Sequence, residues 1–392
     1  MAIITITFQR SFVSQLAQRL RAESVLIQVL VGSRQVGKTT GVQQLINQYE
    51  LTAHYANADD LFVGDRSWLI EQWQQALLLG EGALLVIDEI QKVQNWPETL
   101  KMLWDQQASP GRSGQLRVVL LGSSALQIQS GVTESLAGRF ELMRVHHWRF
   151  SELRSAFDYN LERYLAFGGY PGAVAFEADL DRWYGYMKDA IVEAVIGKDI
   201  LHNHRITKPA LFRQAFEILC HYPAQEISYT KLLGQLQDKG NTDLIKHYIE
   251  LYSNAFLLHT LQKYSPKAWL SRSSSPKMLP ACPALYSMTK GLQRQLGDEQ
   301  RGRVFELAVG TELAQLPGEL FYWRERNAEV DYVYRDRGQL YAIEVKSGRK
   351  KSGRGLAAFC QQVPHALRVI LTPDNFAQFS ADPRAFLRKV AV

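Results

Sequence analysis

The residues Gly32-Ser33-Arg34-Gln35-Val36-Gly37-Lys38-Thr39, followed by Thr40, spell G-x-x-x-x-G-K-[ST], a spacing suited to a loop that closes around phosphate. Gly32 and Gly37 let the backbone curl so that its N–H groups, with the start of a helix, face phosphate oxygens. Lys38 brings a cation to the β- and γ-phosphates, and Thr39 offers a hydroxyl to Mg2+. Asp88 and Glu89 end a second apolar run, residues 83–87. In this arrangement Asp88 holds Mg2+ through water, and Glu89 polarises the attacking water, which separates a hydrolase from a nucleotide binder. The expected ligand is a nucleotide, ATP with Mg2+.

These groups need a scaffold that brings them to one edge. Residues 25–31 form an almost unbroken apolar run, as expected of a buried parallel strand, and residues 39–49 have helical spacing, so the loop falls at a strand-to-helix turn. Residues 116–121 predict another strand, ending in Gly122, Ser123 and Ser124. Ser123 or Ser124 either senses the γ-phosphate and orients water or belongs to an ordinary turn. Arg139 follows a short helical segment. It either stabilises transition-state charge, in its own site or a neighbour's, or is a surface arginine. The expected fold class is α/β, with a parallel-sheet phosphate-loop domain over residues 1–150.

The C-terminal third carries a second set of chemical groups. Residues 301–316 predict a helix containing Glu306. Residues 320–323, 328–335 and 340–347 predict strands, and a helix near 355–363 precedes a strand at 368–371. The order is αβββαβ. A two-residue turn at Arg337 and Gly338 would pair Asp336 with Gln339, set Asp331 opposite Glu344, and set Glu329 opposite Lys346. Facing carboxylates destabilise a hairpin unless something neutralises them. A second Mg2+ or a Mn2+ ion would do so, with Lys346 completing a cluster suited to metal-assisted phosphodiester hydrolysis. Val330, Tyr332, Tyr334, Tyr341, Ile343 and Val345 would share the other, apolar face. The alternative is a solvated face with cross-strand salt bridges. Lys346, Arg349, Lys350, Lys351 and Arg354 form a basic run beside this cluster, either a contact for a phosphate backbone or a solvated loop.

Between these ends, residues 151–277 are mainly helical. Within them, residues 227–236 and 242–257 have helix-turn-helix spacing about Gly240 and Asn241. With an extended segment after them they would form a winged helix that places Lys246, His247 or Glu250 in a DNA groove, or else a pair that packs on its neighbours. Residues 264–277, with a serine cluster and two prolines, suggest an exposed loop or wing before a third region at 278–392. His202-Asn203-His204 is a polar loop, since three adjacent residues do not make a ββα-metal nuclease site.

The 392 residues are too many for one comfortable core, and 46% hydrophobic with 21% charged residues describes a soluble, globular chain. No apolar run is long enough to cross a bilayer, and the N-terminus lacks signal-peptide features, so no membrane partner and a cytoplasmic location are expected. Cys220, Cys282 and Cys360 lie too far apart to suggest a disulfide framework or zinc site. The net charge of +6 is compatible with DNA without requiring it. A protein partner or a homo-oligomer is equally compatible.

Residues 32–40, 86–92, 121–124 and 137–139 resemble a widespread group of prokaryotic AAA-type ATP-binding proteins. In that group the ATPase module is followed by a helical and winged-helix region and a C-terminal domain similar to the PD-(D/E)xK nuclease superfamily. Residues 167–171, 198–200, 305–306, 329–331 and 344–346 fall in the group's order. The resemblance implies nucleotide roles for Lys38, Thr39, Asp88 and Glu89, a sensor at Ser123, and an arginine finger at Arg139. It also implies that Glu306, Asp331, Glu344 and Lys346 are the nuclease-like helix glutamate, metal carboxylates and catalytic lysine. Cys282 and Ala284 stand where the group's pattern suggests aspartate and glycine, and residues 147–150 lack its usual proline. Two functions from different classes follow: an ATPase that gates a nuclease, or a nucleotide-dependent switch or assembly ATPase whose C-terminal domain binds a partner without cleaving.

Overall fold

The computed structural model describes residues 8–22, 26–60, 65–107, 115–122, 128, 135–236, 241–266, 274–290, 296–348 and 353–390. It divides into two compact units, Met1–His146 and His147–Val392. Among the described residues, no helix is long and apolar enough to cross a membrane.

The first unit is built on five parallel strands: β1 (Ile27–Gly32), β2 (Ala53–Asn57), β3 (Leu84–Asp88), β4 (Arg117–Gly122) and β5 (Phe140–Val145). Their order is β2-β3-β4-β1-β5, with every pair parallel. Every residue of β1 and β3 is buried, as unbroken apolar runs in the middle of a parallel sheet require. Strand β1 lies between β4 and β5, neither of them its neighbour in sequence. The order of connections therefore reverses beside its C-terminal end, where open α/β sheets leave a crevice for ligands. Gly32 is needed there, because a Cβ at this position would lie 2.0 Å from the Val145 carbonyl oxygen on β5. Helix Lys38–Gln48 starts directly after the loop.

The second unit carries one seven-stranded sheet, ordered β12-β11-β10-β9-β7-β8-β6. Its strands are β6 (Gln225–Glu226), β7 (Leu258–Lys263), β8 (Lys277–Pro280), β9 (Glu319–Glu325), β10 (Ala328–Asp336), β11 (Gln339–Val345) and β12 (Leu367–Leu371). Helix Asp298–Ala314, β9, β10, β11, helix Arg354–Gln362 and β12 follow one another in the αβββαβ order. The hairpin has the expected register, with Asp336 opposite Gln339 and Tyr332 opposite Ile343. Arg337 and Gly338 both adopt left-handed φ, 50° and 89°, as a two-residue hairpin turn of this hand demands.

Two features differ from the expected alternation. Between Val330 and Val333 the pairing of β10 with β9 shifts register, so one extra residue of β10 is accommodated by a bulge. Val330 thereby joins Val333, Leu340, Ala342 and Phe359 in one core cluster rather than sharing a face with Tyr332. The face expected to carry charges is also covered, with Asp331 and Glu344 each only 5% exposed. The reason is the rest of the sheet and helix Asp298–Ala314, whose packing no two-strand pattern encodes.

The helix pair appears as Tyr229–Leu233 and Thr242–Asn254, capped by the side chains of Ser228 and Asn241. The antiparallel strands β7 and β8 follow it. His202 and Asn203 lie in the turn that ends a π-helical stretch, Ala194–Leu201, with the Asn203 amide donating to the carbonyls of Lys198 and Asp199.

Helix Asp298–Ala314 is tied to two neighbours by Glu312, which is fully buried. Its Oε1 accepts hydrogen bonds from the Phe150 N–H and the Ser380 hydroxyl, both at 2.8 Å. Burial pushes this carboxyl up to about 7, despite Arg149 and the two hydrogen bonds pulling it down, and Glu152 adds to the rise. The folded state therefore holds a proton more tightly than the unfolded chain between about pH 4 and pH 7, so stability present in acid is lost as pH rises through that window and levels off above it. The loss attributable to this group is on the order of 3 kcal/mol. Urea unfolding between pH 4.5 and 8 checks this: Glu312→Gln should flatten the slope, and an unchanged slope would rule Glu312 out as its source.

Candidate functional site

At the C-terminal end of β1 the loop folds back on Lys38, which is 8% exposed. Its Nζ donates to the carbonyls of Gly32 at 2.9 Å and Ser33 at 2.8 Å, so the ammonium lies inside the loop. Gly37 adopts φ 90° immediately before the helix, a conformation that favours glycine. Ser33 and Val36 are buried, Arg34 is half-buried, and Gln35 and Thr40 are exposed.

Strand β3 brings the carboxylates to the same edge. The Thr39 hydroxyl donates to Asp88 Oδ2 at 2.7 Å, and Asp88 Oδ1 accepts the Glu89 N–H at 2.9 Å. Glu89 has φ 53°, an uncommon conformation for a non-glycine residue and one that concentrates at functional sites. Its carboxylate accepts a hydrogen bond from the Gln91 side-chain amide. The structure thus brings Lys38, Thr39, Asp88 and Glu89 together from two strand ends and one helix start.

Three further residues shape this edge without having been singled out by spacing. The Tyr55 hydroxyl, from β2, donates to Asp88 Oδ2 at 2.7 Å. Burial, the bond to Asp88 and the nearby Glu89 raise its pKa well beyond that of an ordinary tyrosine, so it remains a donor. Arg10 donates from one nitrogen to the carbonyls of Val36 and His146, both at 3.0 Å, clamping the loop from behind. Gln91 holds Glu89 and lies against Gly122, where a Cβ would come within 2.3 Å of Gln91 Oε1. No short motif marks Arg10 or Tyr55; a glutamine two residues beyond the acidic pair is the one local cue.

Ser123 and Ser124 lie outside the described residues. Arg139 is described, and it sits at the other edge of the sheet: its carbonyl accepts the N–H of Ile27, the first residue of β1, at 2.9 Å. The six residues of β1 run about 16 Å from there to the loop. Its guanidinium makes two hydrogen bonds to Asp105, at 2.7 and 3.0 Å. The structure therefore does not bring Arg139 to the phosphate loop of its own chain, because parallel pairing of β5 with β1 places the start of one beside the start of the other.

In the second unit, Glu306 and Asp331 are close, but their environment contains an ammonium. Lys277 Nζ lies 2.6 Å from Glu306 Oε1, 3.2 Å from the Asp331 carbonyl oxygen and 3.8 Å from Glu329 Oε1. Glu329 Oε2 is in turn 3.1 Å from Arg324. Asp331 Oδ2 accepts the Val345 N–H at 2.7 Å, and continuing the hairpin register places Glu344 opposite Asp331. Lys346 is half-buried and its N–H donates to the Leu371 carbonyl at 2.8 Å. Among the described residues, no three His, Cys, Asp or Glu side chains are grouped to hold a metal ion. Lys277 escaped sequence reasoning because it closes a serine-rich, loop-like stretch. Residues 349–352 of the basic run lie outside the described residues. On helix Thr242–Asn254, Lys246, His247 and Glu250 are exposed, and Lys246 pairs with Asp243 at 3.1 Å.

Residues 25–154 match a family model described as an AAA domain. The N-terminal unit has a P-loop NTPase-like fold. Residues 158–295 and 301–385 match two domains of unknown function, DUF8612 and DUF4143. An uncharacterized protein of Mycobacterium tuberculosis is 25% identical over 344 residues, covering 86% of this chain and 74% of its own. One from Methanocaldococcus jannaschii is 25% identical over 336 residues, covering 78% and 71%. Among solved structures, the RuvB Holliday junction branch migration motor of Thermotoga maritima overlays with a TM-score of 0.34 at 16% identity, covering 66% of this chain and 91% of that one. AMPPCP-bound DnaA of Aquifex aeolicus gives 0.32 at 14%, covering 63% and 89%.

Proposed function

We propose that this chain binds ATP with Mg2+ at the phosphate loop, hydrolyses it, and uses its nucleotide state to control what the C-terminal unit binds. The observation that supports this most directly is the meeting of Thr39 and Asp88 at 2.7 Å, beside a buried lysine and an adjacent glutamate. A hydroxyl and a carboxylate are hard oxygen donors suited to Mg2+, so the residues fit the ion that the loop implies. Bound there, Mg2+ would neutralise charge on the β- and γ-phosphates. Lys38 exchanges the loop carbonyls for phosphate oxygens, while the backbone N–H groups of residues 33–40 fix the phosphate chain. Glu89 polarises the attacking water and accepts its proton, held in place by Gln91. Tyr55 keeps Asp88 oriented.

Arg139, paired with Asp105, fits a surface arginine, and a role on the nucleotide of a neighbouring copy would require that pair to open. The reading in which the C-terminal unit cuts DNA through Glu306, Asp331, Glu344 and Lys346 is disfavoured by the Lys277–Glu306 ion pair, and a binding role for that unit is favoured. Exposed Lys246, His247 and Glu250 are its candidate DNA contacts. The decisive experiment is ATP turnover by Lys38→Ala: phosphate release should fall to background, and turnover at the wild-type rate would remove the assignment of the nucleotide site.

A further inference from the structure

We propose that Lys277 is a built-in counter-ion: its ammonium occupies the place a divalent cation would need among Glu306, Glu329 and Asp331, so the chain supplies the cation of this cluster itself and takes no metal there. The resemblance to metal-dependent nucleases implies an ion at Glu306, Asp331 and Glu344, but Lys277 already holds Glu306 and the Val345 N–H already holds Asp331 Oδ2. Mg2+ requires oxygens at about 2.0–2.1 Å in near-octahedral array and surrenders its water reluctantly. Here the Glu306 oxygen is committed to Lys277 at 2.6 Å, and the same ammonium also meets a backbone carbonyl and a second carboxylate.

The site around Lys277 is built to hold a cation. The side chain is 1% exposed and its Nζ lies 4.9 Å from the centroid of the Tyr332 ring. The Tyr332 hydroxyl donates to the Glu306 carbonyl at 2.7 Å, tying helix Asp298–Ala314 to the strand beneath it. Burial alone would favour the neutral amine, but Glu306, Asp331 and Glu329 together hold its pKa above the usual lysine range, so the charge persists at any ordinary pH. Glu329 continues the chain of charges to Arg324 at 3.1 Å, and Arg324 to Glu226 at 3.3 Å. Strands β6, β8, β9 and β10 and one helix are thus joined by alternating charges. A dication entering this cluster would have to displace a buried ammonium from its carboxylate partners, which costs the pairing that its burial requires.

The inference concerns the C-terminal unit and does not depend on ATP hydrolysis. It is tested by Mn2+ binding to the full chain, followed by electron paramagnetic resonance without nucleotide and with Asp88→Asn to remove the carboxylate at the phosphate loop. The protein with Lys277 intact should bind no Mn2+ below about 1 mM. Adding Lys277→Met should create a site at least about ten-fold tighter, equivalent to a 1.4 kcal/mol change, and Glu306→Gln in that background should remove the gain. Mn2+ bound with Lys277 present and lost on Glu306→Gln would overturn the proposal, as would a folded Lys277→Met protein that gains no site. Should Lys277→Met not fold, thermal melting of the Lys277-containing protein decides. A melting temperature unmoved by Mn2+ supports the proposal, and one raised by Mn2+ but not after Glu306→Gln overturns it.

Discussion

Glu89→Gln should slow ATP turnover by about two to four orders of magnitude while leaving ATP affinity almost unchanged, because it removes a proton acceptor and little else. The side chain follows Asp88 at the end of β3, in a left-handed conformation, and its carboxylate is held by Gln91. Glutamine has nearly the same shape, so the loop, Lys38 and the Thr39–Asp88 contact remain. What disappears is the negative charge that polarises water. Single-turnover phosphate release, read beside fluorescent-nucleotide binding, separates the two effects. Wild-type turnover would show that Glu89 is not the base, and lost binding would show that it supports the loop instead.

The second large effect is on stability. Glu306→Leu or Lys277→Met alone should cost about 3–5 kcal/mol, because each removes the nearest counter-charge of a buried ion pair. The double replacement Lys277→Met with Glu306→Leu should cost clearly less than the two single changes summed, since both charges of the 2.6 Å pair are then removed together. Urea unfolding of the four proteins closes the cycle. Additive costs would mean that Lys277 and Glu306 do not stabilise each other, contrary to their 2.6 Å contact and the 1% exposure of Lys277. Glu329 and Asp331 share the same ammonium, so the coupling measured includes their readjustment.

The phosphate loop was legible because its chemistry is local. Gly32, Gly37, Lys38 and Thr39 act through the shape of one turn and the start of one helix, and both elements appear within two residues of their expected bounds. The hairpin at Arg337 and Gly338 was legible for the same reason, since its turn and its register are set by adjacent residues. Alternation failed at Val330, because a bulge changes which face a side chain takes and leaves no mark in a period-two pattern. Strands β2 and β5 were not anticipated either. β5 is mixed, with half-buried and exposed positions, and it becomes a strand by pairing with β1.

Residue types and short spacings were thus enough to establish the phosphate loop, the acidic strand end and the αβββαβ order, because each is settled within a few bonds of backbone. Where Arg139 lies relative to that loop, and what neutralises Glu306, depended on pairings between distant segments. β5 beside β1 sends Arg139 to the far edge, and β8 carries Lys277 to a glutamate on a later helix. Such contacts are made through space, by packing that buries apolar strands and leaves charges to find partners inside. Neighbours along the chain carry no record of them.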